Sequence, residues 1–137
     1  MTTATDTTAT GIFEITGWDE NPYETNDDGS KLTRAQVTQA FHGGIDGEGA
    51  VQWLMAYRPD GTAHFVGLQR ISGTMGDRRG SFLVETTGEF DGTVATGAWS
   101  IIDGSGTDGL AGIRGTGTFG APHGSEAEYT LQYDGLE

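Results

Sequence analysis

Glycine-containing turn signals recur at intervals of about ten residues along most of the chain. Four of them are the segments 26–29, 59–61, 91–92 and 103–109. The segments between the turns are rich in valine, isoleucine, threonine and aromatic residues, and apolar side chains alternate with polar ones. An Asp-Gly pair between two such segments is the strongest local signal of a β-hairpin. The pattern therefore predicts a succession of short antiparallel strands.

We predict eight strands, and no stretch combines a helical period with a capping residue. Segment 33–41 fits a strand as well as a helix because Ala35, Val37 and Phe41 share parity. Even spacing favours an up-and-down meander, and closure removes exposed edge strands. The sequence therefore predicts an all-β fold, a closed antiparallel β-barrel of about eight strands, with a β-sandwich as the alternative. The predicted strands are 11–18, 32–42, 49–57, 62–74, 80–90, 93–102, 110–119 and 127–134.

A chain of 137 residues is long enough for one domain with its own core. We expect residues 11–137 to form that domain and residues 1–10, which are rich in threonine and alanine, to be a disordered lead-in. The lead-in lacks the basic and then apolar regions of a signal peptide. No apolar run reaches the ~20 residues that a membrane-spanning helix needs.

The charge balance is strongly acidic, with 20 acidic residues, 7 basic residues and a formal net charge of -13. Binding to nucleic acid through a basic face is therefore not expected, and an anionic membrane surface would repel the protein. The chain has no cysteine, which excludes disulfides and thiolate metal sites and fits a cytoplasmic location.

The predicted turns also assign side chains to faces of the sheet, because turn length determines register and register determines parity. With a two-residue turn at Asp60-Gly61, Met55 faces Val66. One set of alternating residues is then free of charge and mixes large with small side chains, as the interior of a small barrel requires. The members of this inner set that we expect to bind a ligand are Gln52, Leu54, Phe65, Gln69, Phe82, Thr86 and Trp99.

The opposite set carries the charged residues and is therefore expected on the outer surface. It also contains a cluster of large apolar side chains, and an outer apolar patch usually marks an interface. We therefore expect a homo-oligomer. An extra residue in one turn would reverse part of this assignment. The predicted interface consists of Val51, Trp53, Met55, Tyr57, Val66 and Leu68.

Gln52 and Gln69 are polar residues on the otherwise apolar inner face. An unpaired buried amide costs ~1–3 kcal/mol, so each needs a partner. Either the two bond to each other or to Thr86, or they orient a ligand in a cavity walled by Phe65, Phe82 and Trp99. Of the two amides, Gln69 is the candidate catalytic residue.

Several motifs lack the context that their chemistry needs. The glycine pattern at 104–109 matches a dinucleotide fingerprint, but no helix follows to receive a pyrophosphate. The same segment resembles a single calcium-binding nonapeptide, whereas such sites need stacked repeats. His42, His64 and His123 show no ligand spacing. We therefore expect no cofactor and no metal.

A family resemblance rests on several strings together. They include Trp18-Asp19-Glu20-x-Pro22-Tyr23 and the continuous segments 54–63, 65–68, 80–82, 104–107, 110–115 and 122–124. Over residues 10–134 the chain resembles a family of small bacterial proteins of unknown function with an allene-oxide-cyclase-like barrel.

The resemblance implies an eight-stranded barrel and oligomers but no established activity. In that family an acidic residue often stands where this chain has Gln69, and a histidine where it has Thr86. The substitution of both argues against a charged acid/base pair in the lumen.

Three functions remain open from the sequence. The lumen could bind a small, largely apolar organic molecule and act on it as a cofactor-free cyclase or isomerase, with an amide stabilising developing charge. It could bind or carry such a molecule without reaction. Alternatively, the barrel is filled and acts through its outer apolar patch. The first two require a hollow lumen, which side-chain parity does not decide.

Overall fold

The computed structural model describes residues 7–123 and 126–136 and shows a closed barrel of eight antiparallel strands. Each strand pairs with its neighbours in chain order, and the last pairs with the first. The predicted all-β meander barrel is confirmed. The strands are β1 (Thr7–Thr25), β2 (Lys31–Gly43), β3 (Asp46–Tyr57), β4 (Ala63–Met75), β5 (Arg78–Phe90), β6 (Ala95–Ile101), β7 (Arg114–His123) and β8 (Glu126–Asp134).

Several predicted boundaries differ from those of the structure, most of all the end of β1, which continues to Thr25 instead of ending at residue 18. β1 begins at Thr7, because residues 7–10 continue the ladder with β8 and Ala9 is buried. These four residues therefore belong to the barrel rather than to the expected lead-in, whose remaining residues 1–6 lie outside the described part. β7 begins at Arg114 instead of residue 110, because a single turn of 3-10 helix (Asp108–Leu110) and a loop precede it.

Glycines on the inner face make room for aromatic rings from neighbouring strands. Phe65 lies against Gly88, and Phe119 lies against Gly97, so a Cβ on either glycine would overlap the ring. Alternation of large and absent side chains lets eight strands close around rings of this size. This arrangement accounts for part of the high glycine content, 24 residues.

The turn between β3 and β4 is longer than predicted, and this reverses the faces of β3. Met55 pairs with Phe65 instead of Val66, and Tyr57 pairs with Ala63. The Arg58 N–H donates to the Thr62 carbonyl at 2.8 Å and encloses three turn residues rather than two. A shift of one residue moves every side chain of a strand to the other face.

The reversal corrects the predicted site and interface. Gln52 and Leu54, expected in the lumen, lie on the exposed outer surface. The side chains of Val51, Trp53 and Met55, expected in the outer patch, are buried in the core. Tyr57 is half-buried at one end of the barrel, whereas Val66 and Leu68 are exposed as predicted.

The turns between β4 and β5 and between β5 and β6 leave the side chains of these strands on the predicted faces. Ile71 pairs with Phe82 as predicted. The turn between β5 and β6 has four residues, so Thr86 pairs with Trp99 rather than Gly97, which is a shift of two residues and leaves parity unchanged. The structure accordingly places Phe65, Gln69, Phe82, Thr86 and Trp99 in the interior.

Candidate functional site

The loop between β6 and β7 closes one end of the barrel. It is held against β5 by hydrogen bonds from the Thr107 N–H to the Ser81 carbonyl and from the Ile102 N–H to the Leu83 carbonyl, both 2.9 Å. Leu110 and Ile113 from this segment are fully buried in the apolar core. The lumen at this closed end is therefore occupied by side chains of the protein itself.

Aromatic rings fill the middle of the lumen. The centroids of Phe13 and Phe41 lie 5.1 Å apart, and those of Trp99 and Phe119 lie 5.5 Å apart. Phe82 and Trp99, predicted as walls of a ligand cavity, are fully buried in this packed region. Neither of them lines the cavity described below.

A buried amide pair crosses this filled region. Gln69 Nε2 donates to Gln39 Oε1 at 2.6 Å, over Gly49 of the strand between them. The partner of Gln69 is therefore Gln39, not Gln52, which is on the outer surface. Gln39 was missed, although it shares parity with Ala35, Val37 and Phe41 and was thus predictable as inward-facing.

The other polar atom of each amide, Gln39 Nε2 and Gln69 Oε1, is buried and has no hydrogen-bond partner among the described protein atoms. The same holds for Thr86 Oγ1. The three residues are fully buried, so this polar layer belongs to the core of the barrel.

The opposite end of the barrel contains an open, apolar cavity of about 230 Å³. The turn residues 58–62 and 91–94 at this end do not contribute to its lining. Only Phe65 among the predicted ligand-binding residues lines this space; Trp53, Met55 and Tyr57, predicted in the interface, line it too. The lining residues are Phe13, Ile15, Trp18, Trp53, Met55, Tyr57, Phe65, Phe90, Ala95, Phe119, Ala121 and Ala127.

A β-bulge in β1 brings two further residues to the rim of this cavity. The register shifts between Ile15 and Gly17, so Trp18 pairs with Val37 and Glu20 pairs with Ala35. Val37 and Ala35 face the interior, and the bulge therefore turns Trp18 and Glu20 toward the same side. Strict alternation from Phe13 would have placed both outside, which is why parity alone could not find them.

The Glu20 carboxylate accepts three hydrogen bonds at this rim. Oε2 accepts from the hydroxyls of Thr33 at 2.6 Å and Tyr57 at 2.7 Å, and Oε1 accepts from the Trp18 indole N–H at 3.1 Å. Burial, the hydrogen bond to Glu20 and the negative charge of Glu20 raise the pKa of Tyr57 above its usual value. Tyr57 therefore remains a neutral donor at physiological pH.

One cationic side chain, that of Lys31, lies beside Tyr57. Its Nζ lies 4.8 Å from the centre of the Tyr57 ring, and the residue is exposed. The ion pairs within the described residues do not include Glu20. Glu20 is thus a half-buried carboxylate held by neutral donors alone.

Within residues 7–123 and 126–136, no helix is long and apolar enough to cross a membrane. The same residues contain no group of three or more histidine, aspartate or glutamate side chains placed to hold a metal ion.

Comparisons with known proteins agree with the fold. The model of a family described as "Protein of unknown function (DUF3224)" matches residues 9–133. A solved structure of a protein with unknown function from this family in Shewanella oneidensis MR-1 superposes with a TM-score of 0.78 and 23% identity. The match covers 97% of this chain and 99% of that one. No curated protein matches the chain.

Proposed function

Because the chain belongs to the DUF3224 family, whose description names no activity, we propose a function from the geometry: the open end of the barrel binds a small, largely apolar organic molecule. The cavity of about 230 Å³ carries this proposal. Apolar concave sites with a few polar groups at the edge are typical of small-molecule sites. An engineered apolar cavity of ~150 Å³ binds benzene, so the space admits one ring with a short substituent.

A cavity-filling variant tests the proposal. In Ala95→Phe, the new ring would occupy the cavity, because Ala95 lines it. Ala98→Phe is the matched control on the same strand, since Ala98 is exposed on the outer face. We expect propylbenzene to move the tryptophan emission of the unmodified protein and of Ala98→Phe to shorter wavelength, because it replaces water beside Trp18 and Trp53, but not that of Ala95→Phe. Equal shifts in all three proteins would contradict binding in this cavity.

A mass spectrum of an organic extract from the purified protein tests the same proposal without choosing a probe. A co-purifying small apolar metabolite, reduced in Ala95→Phe and retained in Ala98→Phe, is the expected result.

A cofactor-free cyclase or isomerase is the finer version of this proposal. Turnover of the bound molecule would distinguish it from a carrier. Gln69 is enclosed in the core and bonded to Gln39, so Tyr57 and Glu20 are the polar groups closer to a molecule in the cavity. Loss of turnover in Glu20→Gln at saturating concentrations of the bound molecule would support catalysis.

Self-association and a cytoplasmic location stay predictions. The exposed apolar residues on the outer faces of β3 and β4 are Leu54, Val66 and Leu68, which replace the wider patch expected from sequence. Native mass spectrometry of Leu68→Lys and of the control Ala98→Lys, on the exposed outer face of β6, would test self-association through them. A loss of oligomer only in Leu68→Lys is the expected result.

A further inference from the structure

The Glu20 carboxylate has one acceptor position left. An ionised carboxylate offers about four lone-pair sites. Three are used by neutral donors of Trp18, Thr33 and Tyr57. These donors hold the carboxylate in place without neutralising its charge, and no ion pair of the described chain does so.

Two aromatic side chains contact this carboxylate, and a third ring packs against one of them. The rings of Trp18 and Trp53 lie 5.8 Å apart, and Tyr57 donates to Glu20 from the same rim. A cation is attracted to the faces of tryptophan and tyrosine rings, and most strongly where water is excluded. An anionic group beside such rings is a site for an organic ammonium ion.

The carboxylate also adjoins the apolar cavity directly. Trp18 and Tyr57 both line the cavity and both donate to Glu20, at 3.1 Å and 2.7 Å. A molecule whose apolar body fills the cavity would therefore present a substituent at its outer end to Glu20. Partial burial of the carboxylate strengthens an ion pair there relative to bulk water.

Lys31 is the side chain near the opening that would favour an anionic ligand instead of a cationic one. Its Nζ lies over the Tyr57 ring, on an exposed and flexible side chain. Glu20 is more buried and is held by three donors, and the net charge of -13 attracts cations and repels anions. The balance of charge at the opening therefore favours a cationic ligand.

We propose that the ligand is an organic amine, with its apolar body in the cavity and its ammonium group between Glu20 and the rings of Trp18 and Trp53. This inference rests on the proposed function and specifies the chemical class of its ligand.

Three probes with a similar phenyl body test it: 2-phenylethylamine, 2-phenylethanol and 3-phenylpropanoate. Dissociation constants are measured at pH 7 and low ionic strength by ligand-observed NMR. We expect the amine to bind about tenfold more tightly than the alcohol, and the carboxylate to bind most weakly. The amine should also show contacts between its aminomethylene protons and the Trp18 indole, which requires no variant.

Glu20→Gln removes the charge and keeps the size of the side chain. Its matched control is Glu128→Gln, which makes the same change of net charge on the exposed outer face of β8. We expect the advantage of the amine to fall to less than twofold in Glu20→Gln and to stay near tenfold in Glu128→Gln. Binding of the alcohol should be unchanged in both, which also shows that the variants are folded.

The outcomes separate the two proposals. Equal binding of amine and alcohol to the unmodified protein would overturn the amine inference and leave the proposed function in place. Tightest binding of the carboxylate would overturn it in favour of an anion held near Lys31. Failure of all three probes to bind would overturn the proposed function and the inference with it.

Discussion

The two ends of the barrel have the same strands but different interiors. At the closed end, the segment between β6 and β7 places Leu110 and Ile113 in the core. At the open end, the turns at 58–62 and 91–94 place no side chain in the lining of the apolar cavity that remains. An eight-stranded barrel is just wide enough to be filled by its own side chains. Whether part of it stays hollow therefore depends on loops as much as on strands.

The largest expected effect is on stability, and it differs between substitutions at the two ends of the barrel. Leu110→Ala should lower the free energy of unfolding by about 2–5 kcal/mol, because Leu110 is fully buried and the space it leaves cannot collapse easily. Phe90→Leu at the open end should cost less than about 1.5 kcal/mol, because Phe90 is half-buried and already borders a cavity. Urea unfolding measures both. Similar losses would mean that the open end is as tightly packed as the closed end.

The next effect concerns the packed floor beneath the cavity. Gly88→Ala should destabilise the barrel by about 1–3 kcal/mol, because the added Cβ would overlap the Phe65 ring and the Thr96 carbonyl. Gly120→Ala is the matched control, since the only atom near its added Cβ is Thr96 Cγ2 at 3.9 Å. Thermal unfolding of the two variants makes the comparison. An unchanged melting temperature for Gly88→Ala would show that the floor can rearrange.

The smallest effect is at the rim and depends on pH. The pKa of Tyr57 is raised in the folded protein above its ordinary value of 10.0, first by burial and then by Glu20. A raised folded pKa contributes stability below the unfolded pKa, and that contribution is lost as pH rises through the folded pKa. Above about pH 10, the free energy of unfolding should therefore fall more steeply with pH in the unmodified protein than in Tyr57→Phe.

At neutral pH, Tyr57→Phe should cost only about 0.5–1.5 kcal/mol, the usual contribution of one hydrogen bond. Urea unfolding at pH 8 and at pH 10.5 measures both effects. Tyr23→Phe is the control, because Tyr23 is exposed. The pKa of Tyr129 is also raised by burial, so some alkaline sensitivity should remain in Tyr57→Phe. Identical pH profiles would mean that Tyr57 is not buried as the structure has it.

The errors in the predicted faces have a specific cause in one turn. The prediction takes Asp60-Gly61 as a two-residue hairpin turn, and the type I′ form of that turn requires positive φ at both residues. Among the described non-glycine residues only Asp108 has positive φ, so Asp60 does not adopt that conformation, whereas Gly61 does, with φ of 90°. Proline before Asp-Gly favours a three-residue loop with glycine in the left-handed conformation. Pro59 thus carried a signal that would have corrected Gln52, Leu54 and the outer patch.

The rim site has a weaker signal in the sequence. Trp18 and Glu20 face inward because of the bulge after Ile15. Gly17 lies at this bulge, but glycine inside a strand is a poor guide in a chain with 24 glycines. The inward direction of the Gln39 side chain, by contrast, could be predicted from the sequence, because Gln39 shares the parity of the other inward residues of β2. What was missing there was its partner Gln69, which is two strands away and in reach only because Gly49 has no side chain.

The sequence by itself determined the fold class, the number and order of the strands, and the inner faces of β4 and β5. These follow from local physics, because turn residues and alternation act within a few positions of each other. The tertiary structure alone decided which end of the lumen is hollow and that Glu20, Tyr57 and Trp18 meet at its opening. Those features depend on where a loop folds back and where a bulge shifts the register, and both are decided by packing between residues distant in sequence.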